Sequence, residues 1–520
     1  MKREFNVTGL CVPNMHYMVY SQNKINEIIK LIEKGKYFTI NRPRQFGKTT
    51  TISLLSKNLT VNGYLVIRLS FEGIGDDIFM SEKDFIHSFI RQIKRSIELQ
   101  KKEKFLEYFS KDCVNNFEEL SNLLTNLTKN IKRKVILIID EVDKSSNNQL
   151  FLSFLGMLRN KYLLRNEGLD FTFHSVILAG VYDVKTLKLK LRPDEERKYN
   201  SPWNIATDFK VDMTFNPKEI STMLIDYAET ENVKMDIMQI AERIYYFTSG
   251  HPFLVSKICK VIDEELLINV NKWEISDVDK AVKKIVDGRY SNTNFDSLIK
   301  NIENNPELYD LIFNILVLNK KKTFDITNPI INLGVIYGIF SLKEEIIKIQ
   351  NRIYEQRIYN YMVSKTETSD IENYNFQDNF IIHNNKLDFE KVLLKFQEFM
   401  KKEYSEKDKK FLERNGRLIF LAFLKPIING KGWDFKEVQI SQEKRLDVVV
   451  TFMEQKYIVE LKKWYGENYH KKGIEQLSDY LERQNQKKGY LIIFDIDTKE
   501  KKWKQDRITI NNKDIFAVWV

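Results

Sequence analysis

At 520 residues the chain is too long for one compact core and predicts about three folding units. A composition of 43% hydrophobic and 30% charged residues, with nine prolines, excludes a fibre and a disordered chain. The formal charge of +10 admits a phosphate-bearing partner, because clustered Lys and Arg release counterions from nucleic acid, although an evenly solvated lysine surface gives the same sum.

Cys11, Cys113 and Cys259 are too few and too scattered for a disulfide framework or a zinc knuckle, which points to a reducing compartment. The segment MKREFNVTGL lacks the apolar core of a secretory signal, and no run of about 18 apolar residues could span a bilayer. A cytoplasmic protein without a membrane partner is expected.

From Asn23 to Lys34, Ile25, Ile28, Ile29 and Ile32 recur at helical spacing, and Tyr37 to Ile40 reads as a buried strand. Further short β-rich runs, Leu65 to Phe71, Val135 to Ile139 and Ser175 to Leu178, alternate with long amphipathic helical patterns. That alternation predicts a parallel sheet with crossover helices, an α/β unit over 1–270. Between Trp273 and Met362 the pattern turns to short helices, a small helical module with a winged helix among its readings. Within it, NPIINLGVIYGIFS is apolar enough to favour packing inside the molecule over reading DNA. The polar stretch SKTETSDIENYNFQDN reads as a linker, so module and linker occupy 271–375. The last unit, 376–520, opens on a helix from Glu390 to Leu424 with a break near Asn415 and Gly416. Strand-like runs follow at Phe435 to Ile440, Leu446 to Phe452, Tyr457 to Leu461 and Tyr490 to Phe494, with a helix from Gly473 to Gln484, giving the order αβββαβ.

Two constellations carry chemistry. In YFTINRPRQFGKTTTISLL, Gly47, Lys48 and Thr49 stand between an apolar strand and an apolar helix, the context of a Walker A phosphate loop. Main-chain N–H groups at that helix start would hold the phosphates of ATP, Lys48 would reach their oxygens, and the Thr49 hydroxyl would face Mg²⁺. Arg44 and Thr50 are counted among the nucleotide contacts. Arg42 stands where the first glycine of the pattern is usual, which restricts the loop. In VILIIDEVDK a buried strand ends on Asp140 and Glu141, one to hold Mg²⁺ through water and the other to orient an attacking water.

The strings RPRQFGKTT, SVILAGVYDVKTL, SPWNIATDFKVDM and TSGHPFLVSKIC, with the acidic pair after VILII, resemble the AAA-ATPase-like family found in bacteria, often fused to a nuclease-like domain. The resemblance covers nearly the whole chain and makes Arg42 a family trait. It implies Asp183 as a sensor near the γ-phosphate, and a segment around Gly250, His251 and Pro252 that closes over the nucleotide. On its own, His251 reads as a helix-start residue beside a proline. Arg44, Arg192 and Arg197 are candidates for a charge-stabilising arginine, each read first as a surface cation or loop anchor.

The second constellation is EKRLDVVVTFMEQKYIVELKK. A hairpin brings Asp447 at the start of one strand to the sheet edge that carries Glu460 at the end of the next. Two carboxylates and the Leu461 carbonyl suit Mg²⁺, and Lys462 shares a strand face with Glu460. This arrangement suits metal-dependent phosphodiester hydrolysis. It resembles the PD-(D/E)xK superfamily, with Leu446 where proline is usual. Gln476 and Tyr480 match a Q-x-x-x-Y pattern of related nucleases, and the resemblance implies that Gln476 braces the metal site. It also implies a carboxylate from the first helix, for which Glu413 is the candidate beside its reading as a solvated helix face.

The fold class expected is thus α/β throughout: a P-loop NTPase parallel sheet, a helical module and a restriction-endonuclease-like C-terminal domain. The function expected is an ATP-binding and ATP-hydrolysing protein coupled to a Mg²⁺-dependent nuclease, with nucleic acid as partner, DNA before RNA, and a homo-oligomer open. A nucleotide-dependent signalling or scaffold switch and a sequence-specific DNA-binding regulator are the competing readings.

Overall fold

A computed structural model describes residues 3–109, 114–145, 149–181, 203–266, 271–287, 293–316, 322–341, 345–370, 381–382, 386–403, 416, 419–421, 423–424, 432–435, 448–452, 455–464, 466–495 and 503–520. The chain divides into two compact units, one formed by Met1–Asp287, Thr327–Leu342 and Gln350–Arg352, the other by Gly288–Ile326, Lys343–Ile349 and Ile353–Val520.

In the first unit, α1 (Gln22–Glu33) buries Ile25, Ile28 and Ile32, the face its spacing predicts. It leads into β1 (Phe38–Asn41), α2 (Lys48–Val61), β2 (Leu65–Ser70), α3 (Glu82–Glu98) and α4 (Phe117–Asn130). The remaining sheet strands are β3 (Val135–Asp140) and β4 (Ser175–Gly180), with α5 (Gln149–Asn166) between them. Every residue of β3 and β4 is buried, because helices cover both sheet faces and leave no solvated side to take polar residues. The sheet order is β1-β4-β3-β2, all parallel. On the outer side of β1, Thr207 bridges Phe38 and donates its N–H to the Tyr37 carbonyl at 2.8 Å, so the phosphate-loop strand has neighbours on both sides.

Helices α6 (Pro217–Glu231), α7 (Ile237–Thr248), α8 (Pro252–Val261) and α9 (Ile275–Val286) complete this stretch. Asn216 and Glu219 satisfy each other's main-chain N–H groups across the first turn of α6, which fixes where it starts. Before α8, Gly250 lies at φ +75°, and a Cβ there would strike the Phe215 carbonyl, so the turn into α8 admits only glycine.

Helices α10 (Thr293–Glu303) and α11 (Pro306–Leu316) belong to the second unit, whereas α12 (Pro329–Ile336) returns to the first. In the apolar NPIINLGVIYGIFS segment Ile331, Ile339 and Phe340 are buried, whereas Asn328 and Pro329 are exposed and most of the rest are half-buried. Phe340 fills the space beside Gly334, and Gly338, at φ +72°, lies so close to Pro43 that a Cβ would come within 2.8 Å of it.

The second unit continues with α13 (Arg352–Asp370), the two-residue pair β5 (Ile381–Ile382) and β6 (Lys386–Leu387), and α14 (Phe389–Glu403). A six-stranded sheet follows, built from β7 (Gly432–Phe435), β8 (Val448–Phe452), β9 (Gln455–Lys463), β10 (Lys488–Phe494), β11 (Gln505–Ile510) and β12 (Lys513–Trp519), with α15 (Glu467–Arg483) between β9 and β10. Its order is β11-β12-β10-β9-β8-β7. The pairs β9–β10 and β10–β12 are parallel, and the outer pairs are antiparallel. One face packs Val449, Ile458, Leu491 and Ile493 against Leu477 and Leu481 of α15. The hairpin β11–β12 goes beyond the αβββαβ order expected, which stops at Phe494. Among the described residues, no helix is long and apolar enough to cross a membrane.

Candidate functional sites

The turn from β1 to α2 runs through two left-handed residues, Gln45 at φ 62° and Gly47 at φ 76°. Arg42 is not one of them, so the loop does not require glycine at that position. Its guanidinium donates to the carbonyls of Asn41 at 2.8 Å and Val211 at 2.8 Å and lies 5.1 Å over the Phe209 ring. Arg42 therefore ties the 209–211 segment to the end of the phosphate-loop strand. Arg42→Gly, which restores the commoner loop glycine, is expected to lose about 2 kcal/mol of stability through these contacts. Urea unfolding checks this, and an unchanged midpoint sinks the assignment.

Lys48 is 6% exposed, and its ammonium donates to the carbonyls of Arg42 at 2.8 Å and Pro43 at 3.0 Å. Burial pushes the Lys48 ammonium down, opposed by Glu141, Asp143 and Asp140. Asp140 closes β3 at 4% exposure, with Arg68 of β2 at 3.7 Å. Burial raises the Asp140 and Glu141 carboxyls, opposed by Arg68 at Asp140 and by Lys48 at both. Glu141 lies at φ 56°, a strained setting for a non-glycine residue. Thr49 is half-buried on the first turn of α2, and the Thr50 hydroxyl accepts the Cys11 N–H at 3.1 Å. Arg44 is exposed.

Two residues that the sequence reading passed over join this cluster. Asp143 accepts the Val181 N–H at 2.6 Å and lies against Gly180, where a Cβ would come within 2.7 Å of its carboxylate. Arg68 is the cation beside Asp140. The string DEVD held a signal for Asp143, an acid two positions beyond Glu141, whereas nothing in the sequence sets Arg68 apart. Asp183, Arg192 and Arg197 lie outside the described residues.

His251 precedes α8 with Pro252 as its first helical residue, as the local reading expects, and is fully buried. Its ring meets Phe46 of the phosphate loop edge-on at 4.4 Å, and Pro252 lies beside Gly47. Burial lowers the His251 pKa from 6.5 to about 3. Between those values the unfolded chain binds a proton that the folded chain refuses, so stability falls as pH drops through this window. At pH 5 the loss is about 2 kcal/mol. His251→Leu is expected to show that much less pH dependence in urea unfolding, and equal slopes in the two proteins contradict it.

In the second unit, Glu460 and Lys462 lie two residues apart on β9 and share a face. Glu460 is 4% exposed, and its carboxylate accepts the Lys462 ammonium at 2.9 Å. Lys462 also donates to Gln476 Oε1 of α15 at 3.1 Å. Its stem crosses Gly473, where a Cβ would come within 3.3 Å of Lys462 Cε, so a glycine inside a helix makes room for the lysine. Gln476 contacts the lysine, and Tyr480, one turn further, is buried. Leu461 is half-buried between the two charged residues. Asp447 immediately precedes β8 in sequence and, like Glu413, lies outside the described residues. The first residue of β8, Val448, pairs with Val459, the neighbour of Glu460.

A parallel sheet with a phosphate loop on one strand and an acid pair on the strand two places away defines a P-loop ATPase fold. The chain belongs to the AAA-like domain family, whose profile matches residues 13–360. Residues 433–506 match the PD-(D/E)XK nuclease superfamily, so the chain joins an AAA-like domain to a domain of that superfamily. Three solved structures are similar to it. The Walker-type ATPase of Pyrococcus abyssi has a TM-score of 0.46 and 13% identity, over 68% of this chain and 99% of that one. The RuvB Holliday junction branch migration motor of Thermotoga maritima has a TM-score of 0.34 and 12% identity, over 68% and 96%. The ORC2 protein of Aeropyrum pernix has a TM-score of 0.35 and 14% identity, over 66% and 93%. No curated protein matches the chain.

Proposed function

We propose that the chain binds and hydrolyses ATP in its AAA-like domain and uses this to control a Mg²⁺-dependent nuclease in its C-terminal domain, with DNA the favoured substrate. The observation that carries the nuclease half is the Glu460–Lys462–Gln476 cluster, in which an acid and an ammonium are held side by side on a buried strand. The carboxylates of Asp447 and Glu460 and the carbonyl of Leu461 are the oxygens that would hold the ion. A divalent cation held there would make a bound water more acidic and would stabilise charge on a phosphate. Lys462, fixed between Glu460 and Gln476, offers its protons to a phosphate oxygen as charge builds there.

At the other site, Lys48 supplies an ammonium to nucleotide phosphates, and Thr49 and Asp140 are the residues that would hold the accompanying Mg²⁺. Glu141 orients water. The placement of Asp140 at the end of β3, on the sheet edge where α2 carries Lys48 and Thr49, supports this reading. Gly338 packed on Pro43 supports a route from nucleotide to the segment that holds α12, because a loop that rearranges around phosphate moves a residue with no slack beside it. Nucleic-acid cleavage with Mg²⁺, with and without ATP, tests the proposal in wild type, Asp447→Ala and Lys48→Ala. Cleavage that is lost in Asp447→Ala, and that ATP modulates in wild type but not in Lys48→Ala, is expected. Equal cleavage by wild type and Asp447→Ala rejects the catalytic assignment.

A further inference from the structure

Directly beyond Lys462 and Lys463, β9 gives way to Trp464, whose N–H donates to the Phe494 carbonyl at 3.0 Å and so pins it to the end of β10. The indole lies 5.5 Å from the His470 ring on α15 and 6.5 Å from Trp519 of β12, and His470 lies 5.3 Å from Trp519. Trp519 is 2% exposed and belongs to the core of the domain, whereas Trp464, packed against that core, and His470 are only partly buried. Beside Trp464 and His470 lies a cavity no larger than a water molecule, lined by Lys462, Lys463, Gly473, Leu491 and Ile493, so a flat ligand would lie on the rings and not in the cavity.

Lysines make up most of the rim of these rings, with one acid among them, Asp506, which acts on His470 and pairs with Lys504 at 3.1 Å. Lys463 follows Lys462 on β9, Lys471 and Lys472 are exposed on α15 directly after His470, and the Lys504 ammonium lies 4.1 Å from the centre of the Trp519 ring. Burial, reinforced by Lys504, pushes the His470 imidazole down, which leaves a neutral ring suited to stacking. An aromatic cluster that served only as core would bury its rings and would have no use for a lysine rim. Aromatic faces set among lysines instead match what a single nucleic-acid strand presents, a flat base beside an anionic backbone. In a duplex each base is already stacked on both faces, so only an unpaired base can use such a platform.

We propose that Trp464 and His470 form a nucleobase-stacking subsite adjoining Lys462, so that the C-terminal domain takes a strand with an unpaired base next to the cleaved phosphate. This rests on the nuclease reading of Glu460 and Lys462 and adds to it the class of substrate. Lys462 meets the phosphate, Trp464 receives the base, and Lys463, Lys471 and Lys472 follow the backbone.

The test measures binding and Mg²⁺-dependent cleavage by the full chain of three labelled oligonucleotides: a single strand, its duplex, and the same single strand carrying abasic spacers. Trp464→Leu is expected to bind the intact single strand on the order of tenfold more weakly. Trp464→Phe stays close to wild type, and neither change alters binding of the duplex or the abasic strand. Unchanged single-strand binding by Trp464→Leu, or equal weakening on all three nucleic acids, overturns the subsite while leaving the nuclease reading intact. Failure of wild type to bind or cleave any of the three overturns both. Should Trp464→Leu not fold, tryptophan fluorescence decides. Quenching by the single strand in wild type that is lost in Trp464→Phe supports the subsite, and identical quenching in both overturns it.

Discussion

Glu460→Gln is expected to lower metal-dependent cleavage by more than about 100-fold, because even the groups behind a metal ligand are worth about 10–100-fold. The exchange preserves volume and leaves an amide oxygen to accept the Lys462 proton now held at 2.9 Å, so it removes negative charge with little change of packing. A stability cost of about 1 kcal/mol follows from weakening a charge-assisted hydrogen bond at a mostly buried site. Activity and stability thus move by very different amounts, which separates a ligand from a structural ion pair. Cleavage rates and urea midpoints measured on the same preparations read both. A Glu460→Gln protein that cleaves at the wild-type rate assigns Glu460 to holding Lys462 and nothing more. Lys462→Met completes the comparison, since it leaves the Glu460 carboxylate buried without its cation and is expected to cost more stability, about 3 kcal/mol.

Both domains announce themselves in sequence wherever function imposes a fixed string on a regular element. The run VILIID is legible because a doubly covered parallel strand must be apolar throughout and its terminal acid must break that run at the sheet edge. Gly47 and Lys48 are legible because the turn into α2 needs a left-handed residue followed by a cation. Glu460 and Lys462 are legible because alternation in β9 places them on one face. The hairpin β11–β12 went unread although Asn511 and Asn512, at φ 47° and 59°, form the paired left-handed turn that Asn favours. Its first strand, QDRITI, has only two apolar residues, Ile508 and Ile510, and buries neither completely, so the apolar alternation is short. Arg42 misled differently. Its position in the motif points to glycine, but its role depends on Phe209 and Val211, more than 160 residues away, and no local pattern carries that contact. Gly338 is similar: its closeness to Pro43 is a fact of tertiary packing, visible in sequence only as one glycine in an apolar helix ending.

Lys48→Ala is expected to remove half or more of the stabilisation that Mg²⁺-ATP gives the wild-type protein. A charged hydrogen bond to phosphate is worth about 1.5–3 kcal/mol, which corresponds to roughly 10–150-fold in affinity. At a nucleotide concentration about 100 times the wild-type dissociation constant, the wild type gains about 2.7 kcal/mol from binding. A variant weakened by the upper end of that range retains only a few tenths of a kcal/mol. The ligand-dependent shift is the quantity to compare, because the substitution also acts without nucleotide. It strips a buried donor from the carbonyls of Arg42 and Pro43, at a cost of about 1–3 kcal/mol to the fold. The Pro43 carbonyl belongs to the residue that Gly338 touches, so the same substitution loosens that packing. Thermal unfolding with and without Mg²⁺-ATP therefore yields two numbers, a lower midpoint in buffer and a ligand shift cut by half or more. A preserved shift in Lys48→Ala places nucleotide recognition elsewhere and removes the phosphate loop from the proposed mechanism.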